Sequence, residues 1–235
     1  MSATLHQGDA VTWLRSLASG SVDLIDIDVA YESLEKHRAI GTTTRLTGSW
    51  FEIFRNERIP ELFAECCRVL RSDRHFYFWC DQETMFVAKP IAEAAGFKFW
   101  KPLVWDKQTI GMGYHYRARY EFILFFEKGK RRLNNLGTAD VLQAKRITGG
   151  YPTEKPVEIH RTLIEQSTQP GELVIDAFMG SGSAGVAAVE CERSFAGNDL
   201  SPASIAMASA RIPGATIADD AEKPVRQADL WAVAK

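Results

Sequence analysis

An α/β fold built on a mostly parallel sheet is what this chain predicts, and three observations predict it. Apolar stretches of strand length alternate with segments of helical spacing along most of the 235 residues. Two of the strands, Val22–Asp28 and Leu173–Asp176, end in an aspartate. The second passes directly into a turn of minimal side chains, Ala177-Phe-Met-Gly-Ser-Gly182, and then into a helix.

The elements follow in order. Residues 3–8 read as a short strand. Asp9 is placed to cap a helix over Ala10–Ala18, with Val11, Leu14 and Leu17 at helical spacing. The strand Val22–Asp28 leads into Asp28-Val29-Ala30-Tyr31. Residues 32–58 carry charges, threonines, Gly41 and Gly48 without a clean period. They read as a long loop or insertion, and loops of that length in compact domains tend to be functional. Pro60–Leu70 is a helix with proline in its first turn. His75-Phe-Tyr-Phe-Trp-Cys80 is a strand. Thr84–Ala95 is a helix, weakened by Pro90 and ended by Gly96. Phe97–Trp105 and Tyr120–Glu127 are strands joined by a loop, Ile110–Arg119, that carries glycines and arginines. Residues 129–152 are polar and irregular. Helices follow over Pro156–Ser167, Ser183–Glu192 and Pro202–Arg211, with a strand ending at Asp199 before the last. The tail 219–235 has helical composition but no assigned place.

Length and an apolar fraction of 46% fit one soluble domain, 1–235, with a substantial core. No apolar run approaches the roughly 20 residues of a membrane span. The first residues lack the basic-then-apolar pattern of a secretory signal. Cys66, Cys67, Cys80 and Cys191 form no C-x-x-C pair and no cysteine–histidine cluster, so no metal site is expected. Cys66 and Cys67 read as core residues of a helix, and a reducing cytoplasm is the expected location. The net charge of −2 hides an asymmetry: Lys98–Arg132 carries +6 and the remainder −8. That basic stretch is interleaved with Trp100, Trp105, Tyr114, Tyr116 and Tyr120, a composition expected of a nucleic-acid contact surface. A solvated face over ordinary core aromatics would share it.

Gly180, Gly182 and Gly185 match G-x-G-x-x-G, a pattern shared by dinucleotide sites and by plain tight turns. Asp176 argues against a pyrophosphate, since like charges repel, and is suited to a cationic amino group. Only 36 residues follow Asp199, fewer than a dinucleotide fold would place there. Asp199 itself, at the end of the apolar stretch Phe195–Asp199, can accept from both hydroxyls of a ribose. These residues point to a nucleoside-bearing cofactor.

With those residues in view the chain resembles a β-class DNA amino-methyltransferase. Asp176-Ala-Phe-Met-Gly-Ser-Gly-Ser183 is similar to that family's D-P-F-x-G-S-G-T, and Thr153-Glu-Lys-Pro156 to its T-x-K-P. Gln7-Gly-Asp9 resembles its short acidic motif, and Asp28-Val-Ala-Tyr31 stands where it has D-P-P-Y. The resemblance spans roughly residues 5–212. It implies a circularly permuted, Rossmann-like fold with helices on both faces of the sheet, S-adenosyl-L-methionine as cofactor and double-stranded DNA as substrate. Asp28, with a backbone carbonyl at Val29 or Ala30, would accept from the target amine, and Tyr31 would stack on the extruded base. Asp176 and Lys155 would meet the methionyl ends of the cofactor, Asp199 its ribose and Asp9 its adenine. Phe178 would pack near the catalytic loop, and Gly180, Ser181, Gly182 and Ser183 would form the cofactor turn.

Both motif prolines are absent, which frees the loop at a cost of about 1 kcal/mol or less per position. Asp28 and the backbone carbonyls survive the change. The expected activity is methylation of adenine N6, because in this family serine is the commoner companion of cytosine at the place of Asp28. Cytosine-N4 transfer stays open, as does a regulatory protein that binds cofactor and DNA with weak catalysis. Residues 129–152 are expected to be a short target-recognition segment, too few for an independent recognition domain. DNA contacts are therefore expected from Lys36, His37, Arg38, Arg45 and Arg55, together with Arg117 and Arg119. A homodimer is expected, in the cytoplasm of a bacterium or encoded by a phage, close to the nucleoid.

Overall fold

A computed structural model describes residues 2–35, 52–112, 114–149, 151 and 153–218. Lys36, His37, Arg38 and Arg45 and the tail from 219 lie outside them. The strands are β1 (Ala3–Gln7), β2 (Val22–Asp28), β3 (Leu70–Cys80), β4 (Lys98–Asp106), β5 (Tyr120–Lys128), β6 (Val141–Gln143), β7 (Leu173–Asp176), β8 (Ser194–Asp199) and β9 (Ala215–Ile217). Among the described residues they form one sheet in the order β6-β4-β5-β3-β2-β7-β8-β1-β9. The ladders are parallel except where β5 runs antiparallel between β3 and β4.

The helices are α1 (Ala10–Ser16), α2 (Ile59–Val69), α3 (Gln82–Ala94), α4 (Val157–Ser167), α5 (Ser183–Glu190) and α6 (Pro202–Arg211). Side chains alternate across a strand, so β3 feeds both faces of the sheet. Phe76 and Phe78 pack with α1, α2 and α3, while Tyr77 and Trp79 pack with α4, α5 and α6. Phe63 of α2 meets Phe76, Phe78 and Phe126 edge-on at 5.3, 5.0 and 6.2 Å.

Local signals explain the ends of several elements. Asp9 accepts from Thr12 N at 3.0 Å and starts α1, as expected, although the helix stops at Ser16 rather than Ala18. Pro60 lies in the first turn of α2, and Asp81 caps α3 through Thr84 N at 2.8 Å. Gly96, at φ 105°, follows that helix. Among the described residues no helix is long and apolar enough to cross a membrane.

The structure departs from the sequence reading in four further places. β3 begins at Leu70, five residues before the apolar run. Its polar start is held by the buried Asp23, whose Oδ1 takes Arg71 at 2.7 Å and Arg74 at 3.2 Å. β6 lies within the stretch 129–152 that read as irregular, and buries Leu142 alone of its three residues, too little to produce a visible alternation. β9 adds a ninth strand, beside β1. Finally, Asn56–Arg58 form a short 3-10 helix inside the segment read as a loop.

Candidate active site

Ligands of open α/β sheets bind at the carboxyl ends of parallel strands. β2, β7 and β8 end there in Asp28, Asp176 and Asp199, around a cavity of about 940 Å³. The lining includes Asp9, Asp28, Val29, Ala30, Tyr31, Arg55, Lys155, Asp176, Phe178, Gly180, Ser181, Ser183 and Asp199. The early stretch and the glycine turn therefore share one space. Gly182 stands behind it: at φ 81° it begins α5, and a Cβ there would come within 2.9 Å of the Ala208 Cβ.

Backbone contacts fix the turn. Phe178 N donates to Asp176 Oδ1 at 2.9 Å, Gly180 N to Asp199 Oδ2 at 2.9 Å, and Gly182 N to Met179 O at 2.7 Å. Asn198 donates to the carbonyls of Gly8 and Ala177 at 3.0 and 3.2 Å, tying the β1 end to the turn. Arg211 joins Ser181 O at 2.8 Å to Glu154 at 2.6 Å, anchoring the turn to α6 and to the segment before α4. At Gly185 an added Cβ would meet Ile212 Cδ1 at 2.5 Å and Phe195 at 2.7 Å. The third glycine of the pattern thus serves helix–strand contact.

The opposite wall is held by side chains. Lys155 Nζ lies 2.5 Å from Asp28 Oδ2 and 3.3 Å from Glu121 Oε2, and Lys107 bonds Glu121 Oε1 at 2.8 Å. The Lys155 ammonium also sits 5.6 Å from the Trp79 ring centroid. Beneath this chain of charges, the buried Asp26 accepts from Trp79 Nε1 at 2.8 Å and faces His160 Nδ1 at 2.7 Å. Burial pushes the Asp28 carboxyl up, with Lys155 opposing. Burial would lower Lys155, but Asp28 and Glu121 outweigh it and keep the ammonium charged. Burial would also raise Glu121, but Lys155 and Lys107 hold it below its ordinary value.

Two expectations change in the light of these contacts. Lys155, expected at the carboxylate end of the cofactor, is engaged by Asp28 and Glu121. The Ala30 carbonyl, expected with Val29 as a backbone acceptor, already accepts from Phe54 N at 2.8 Å, beside the bridge that pairs Tyr31 with Phe54. Asp9 is shared between capping α1 and binding Arg58 at 2.9 Å. Of the arginines expected on DNA, Arg55 is paired with Glu35 at 2.7 Å and Arg119 with Asp106 at 2.6 and 2.8 Å. Arg117 Nε donates to Gly111 O at 2.6 Å. Arg117 and Arg119 lie on the hairpin between β4 and β5, outside the cavity lining. Lys107, Glu121, Arg146, Tyr151 and His160 line the cavity and were not expected there. Lys107 and Glu121 do flank that hairpin in sequence, just beyond one expected strand and at the start of the next, and this is the available signal.

A cationic amine suits Asp176. Burial, reinforced by Asp26, drives its carboxyl well above the ordinary range, and an ammonium against it would reverse that shift. Asp199 accepts one N–H on each oxygen, from Gly180 and Ser201, at 2.9 Å each. The Ser204 side chain is a third donor to it, and since a carboxylate has about four lone-pair sites, room remains for a ribose hydroxyl. Tyr151 packs 3.2 Å from the position of a Gly180 Cβ, a contact only a glycine accommodates comfortably.

Residues 22–210 match the model of the N6/N4 family described as DNA methylase, and the chain belongs to that family. It is a DNA methyltransferase. The DNA adenine methyltransferase YhdJ of Escherichia coli (strain K12) is 26% identical over 250 residues, covering 89% of this chain and 82% of that protein. The structure of M1.HpyAVI with S-adenosyl-L-methionine aligns at TM-score 0.69 and 20% identity, covering 90% of this chain and 99% of that one. The cytosine-N4-specific PvuII DNA methyltransferase aligns at TM-score 0.72 and 14% identity, covering 98% and 92%. These structural likenesses establish the Rossmann-like methyltransferase fold.

Proposed function

We propose that this methyltransferase acts on N6 of adenine, in a base turned out of double-stranded DNA. The observation that carries the reading is Asp28, a carboxylate at the end of β2 that opens onto the same cavity as the glycine turn. The match to a DNA adenine methyltransferase over 89% of the chain supports it. Cytosine-N4 transfer is the second reading, favoured by the likeness to the cytosine-N4-specific enzyme.

S-adenosyl-L-methionine supplies a methyl on a cationic sulfur, which keeps the bonding pair as the carbon leaves. The residues of this chain would do the rest. Asp176 would hold the amine of the donor, Asp199 its ribose and Asp9 the side of its adenine, with the turn Gly180–Ser183 beneath it. In-line transfer then requires the acceptor nitrogen close to the methyl and opposite sulfur. Tyr31 would stack on the extruded base and offset part of the few kcal/mol of unstacking. An exocyclic amine is a weak nucleophile because its lone pair is delocalised into the ring. Asp28 and the Val29 carbonyl would accept from it as it rehybridises and gains positive charge. Lys155, bound to Asp28 Oδ2, would orient the carboxylate and leave Oδ1 for the amine.

Binding across the duplex is proposed for Arg55, Arg117 and Arg119 and for the basic residues of 36–45, and a homodimer would extend that footprint. Base-resolved mapping of modified positions in DNA from cells expressing the protein tests the proposal. N6-methyladenine at a repeated sequence is expected. N4-methylcytosine would establish the second reading, and unmodified DNA would leave only cofactor binding.

A further inference from the structure

The hairpin between β4 and β5 starts at the rim of the cavity, since Lys107 and Glu121 both line it. Its stem is well tied. Lys107 N donates to Arg119 O at 2.9 Å and Gly111 N to Ala118 O at 2.8 Å, with Arg119 locked on Asp106. Its tip is the reverse of a packed loop. Met112 is 86% exposed, and Tyr114 and Tyr116 are exposed to 98% and 107%. Between residues 107 and 120 the chain has Lys107, Arg117 and Arg119 and no acidic residue.

Large aromatic side chains clustered in water at a loop tip add little to the core and mark an interaction surface. Of the stem's cations Lys107 and Arg119 are paired with Glu121 and Asp106, while Arg117 is bonded to a neutral carbonyl and complements phosphate, and every base presents a face on which a tyrosine can stack. Tyr114 lies seven positions after Lys107, a reach of up to about 24 Å, enough to cross a major groove about 12 Å wide. Extruding a base leaves a gap in the duplex beside the pocket that receives it. We propose that this hairpin is an aromatic wedge. Tyr114 and Tyr116 enter the base stack next to the target and fill the space the extruded base leaves. The inference rests on the reading of the cavity as the pocket for that base.

The test compares the wild type with Y114A/Y116A and Y114F/Y116F, using labelled S-adenosyl-L-methionine and two DNAs carrying the mapped target sequence. One is an intact duplex; in the other the target base faces an abasic site and needs less work to turn out. Stacking on a base is worth about 5- to 150-fold. The alanine pair is expected to slow methylation of the intact duplex at least tenfold and to recover to within about threefold of wild type on the abasic duplex. The phenylalanine pair, which keeps both rings, should stay within about threefold on both. Equal losses on the two DNAs, or no loss on either, would overturn the wedge alone. So would an alanine pair that is monomeric in sedimentation where the wild type is dimeric, because a second copy would then be what covers the tip. A wild type that methylates neither DNA would overturn the pocket reading and the wedge with it. Both tyrosines lie outside the core, so thermal midpoints within about 2 °C of wild type are expected for every variant.

Discussion

The two walls of the cavity are built differently. The wall of the glycine turn is backbone. Its shape comes from two glycines at positive φ, from N–H groups bonded to Asp176 and Asp199, and from helix and strand in close contact at Gly185. The wall around Asp28 is made of side chains from distant parts of the sequence: Asp28 on β2, Glu121 on β5 and Lys155 before α4. A backbone wall suits a ligand that is the same in every turnover. A wall of charged side chains can adjust to a base that arrives from outside, and it can share the charge that develops there. The two walls should therefore fail separately.

The largest expected effect is on the side-chain wall. Asp28→Ala should lower the methylation rate about 10²- to 10³-fold, the loss typical of one preorganised acceptor or donor at a reacting centre. The affinity for S-adenosylhomocysteine should stay within about threefold, because the cofactor wall is intact. Single-turnover rates and calorimetric titration check both numbers. A large loss of affinity would show that the walls are one unit.

Asp176→Asn is the converse break. Losing a charge-assisted hydrogen bond to the donor amine should weaken cofactor binding about 10- to 100-fold. The pH dependence follows in sign. Burial raises the folded Asp176 carboxyl well above 3.8. Stability from this group is therefore fully present below its unfolded value and is lost as pH rises through its folded value. The free Asp176→Asn protein has no such loss, so its melting temperature should fall less than that of the wild type from about pH 5 to pH 8. Differential scanning calorimetry at the two pH values decides it; parallel curves would show that Asp176 is not the strained carboxylate of the free protein.

The same contrast explains what could be read from the sequence. The glycine turn, the cap at Asp9 and Pro60 in α2 are local, with cause and effect within a few residues. The Asp28–Lys155 pair spans 127 positions and Trp79–Asp26 spans 53, and only the assembled sheet brings such partners together. His160 had no local signal at all. It is a single histidine on an otherwise ordinary helix until Asp26 is placed beneath it. β6 and β9 are edge strands of three residues, short enough that pairing with a neighbour defines them more than their own pattern does. The start of β3 escaped notice because its partners are charges, where strand signals are sought in apolar alternation.

Gly182→Ala probes the rigidity of the backbone wall. An alanine at φ 81° costs about 1–2 kcal/mol in the left-handed region. Its Cβ would also stand 2.9 Å from Ala208 and 3.0 Å from Ile212, so α6 would have to shift. A fall in melting temperature of about 4 °C is expected, with weaker cofactor binding. Wild-type affinity despite the lower melting temperature would mean that the turn tolerates movement.

The smallest effects belong to the arginines of the hairpin stem, and they separate two residues that look alike in sequence. Arg119 is neutralised by Asp106 through two hydrogen bonds, whereas Arg117 donates to the uncharged carbonyl of Gly111. A cation already paired with a carboxylate displaces fewer counterions from DNA. Arg117→Ala should therefore reduce the slope of log affinity against log salt by about 0.9, the contribution of one phosphate. Arg119→Ala should reduce it by less than half as much, unless binding pulls Arg119 away from Asp106. That exception has its own signature. Asp106→Ala would then strengthen DNA binding, because the variant, unlike the wild type, would have no pair to break first. Fluorescence anisotropy across a salt series, with the two alanine variants and Asp106→Ala side by side, distinguishes a stem that meets phosphate with one cation from a stem that meets it with two.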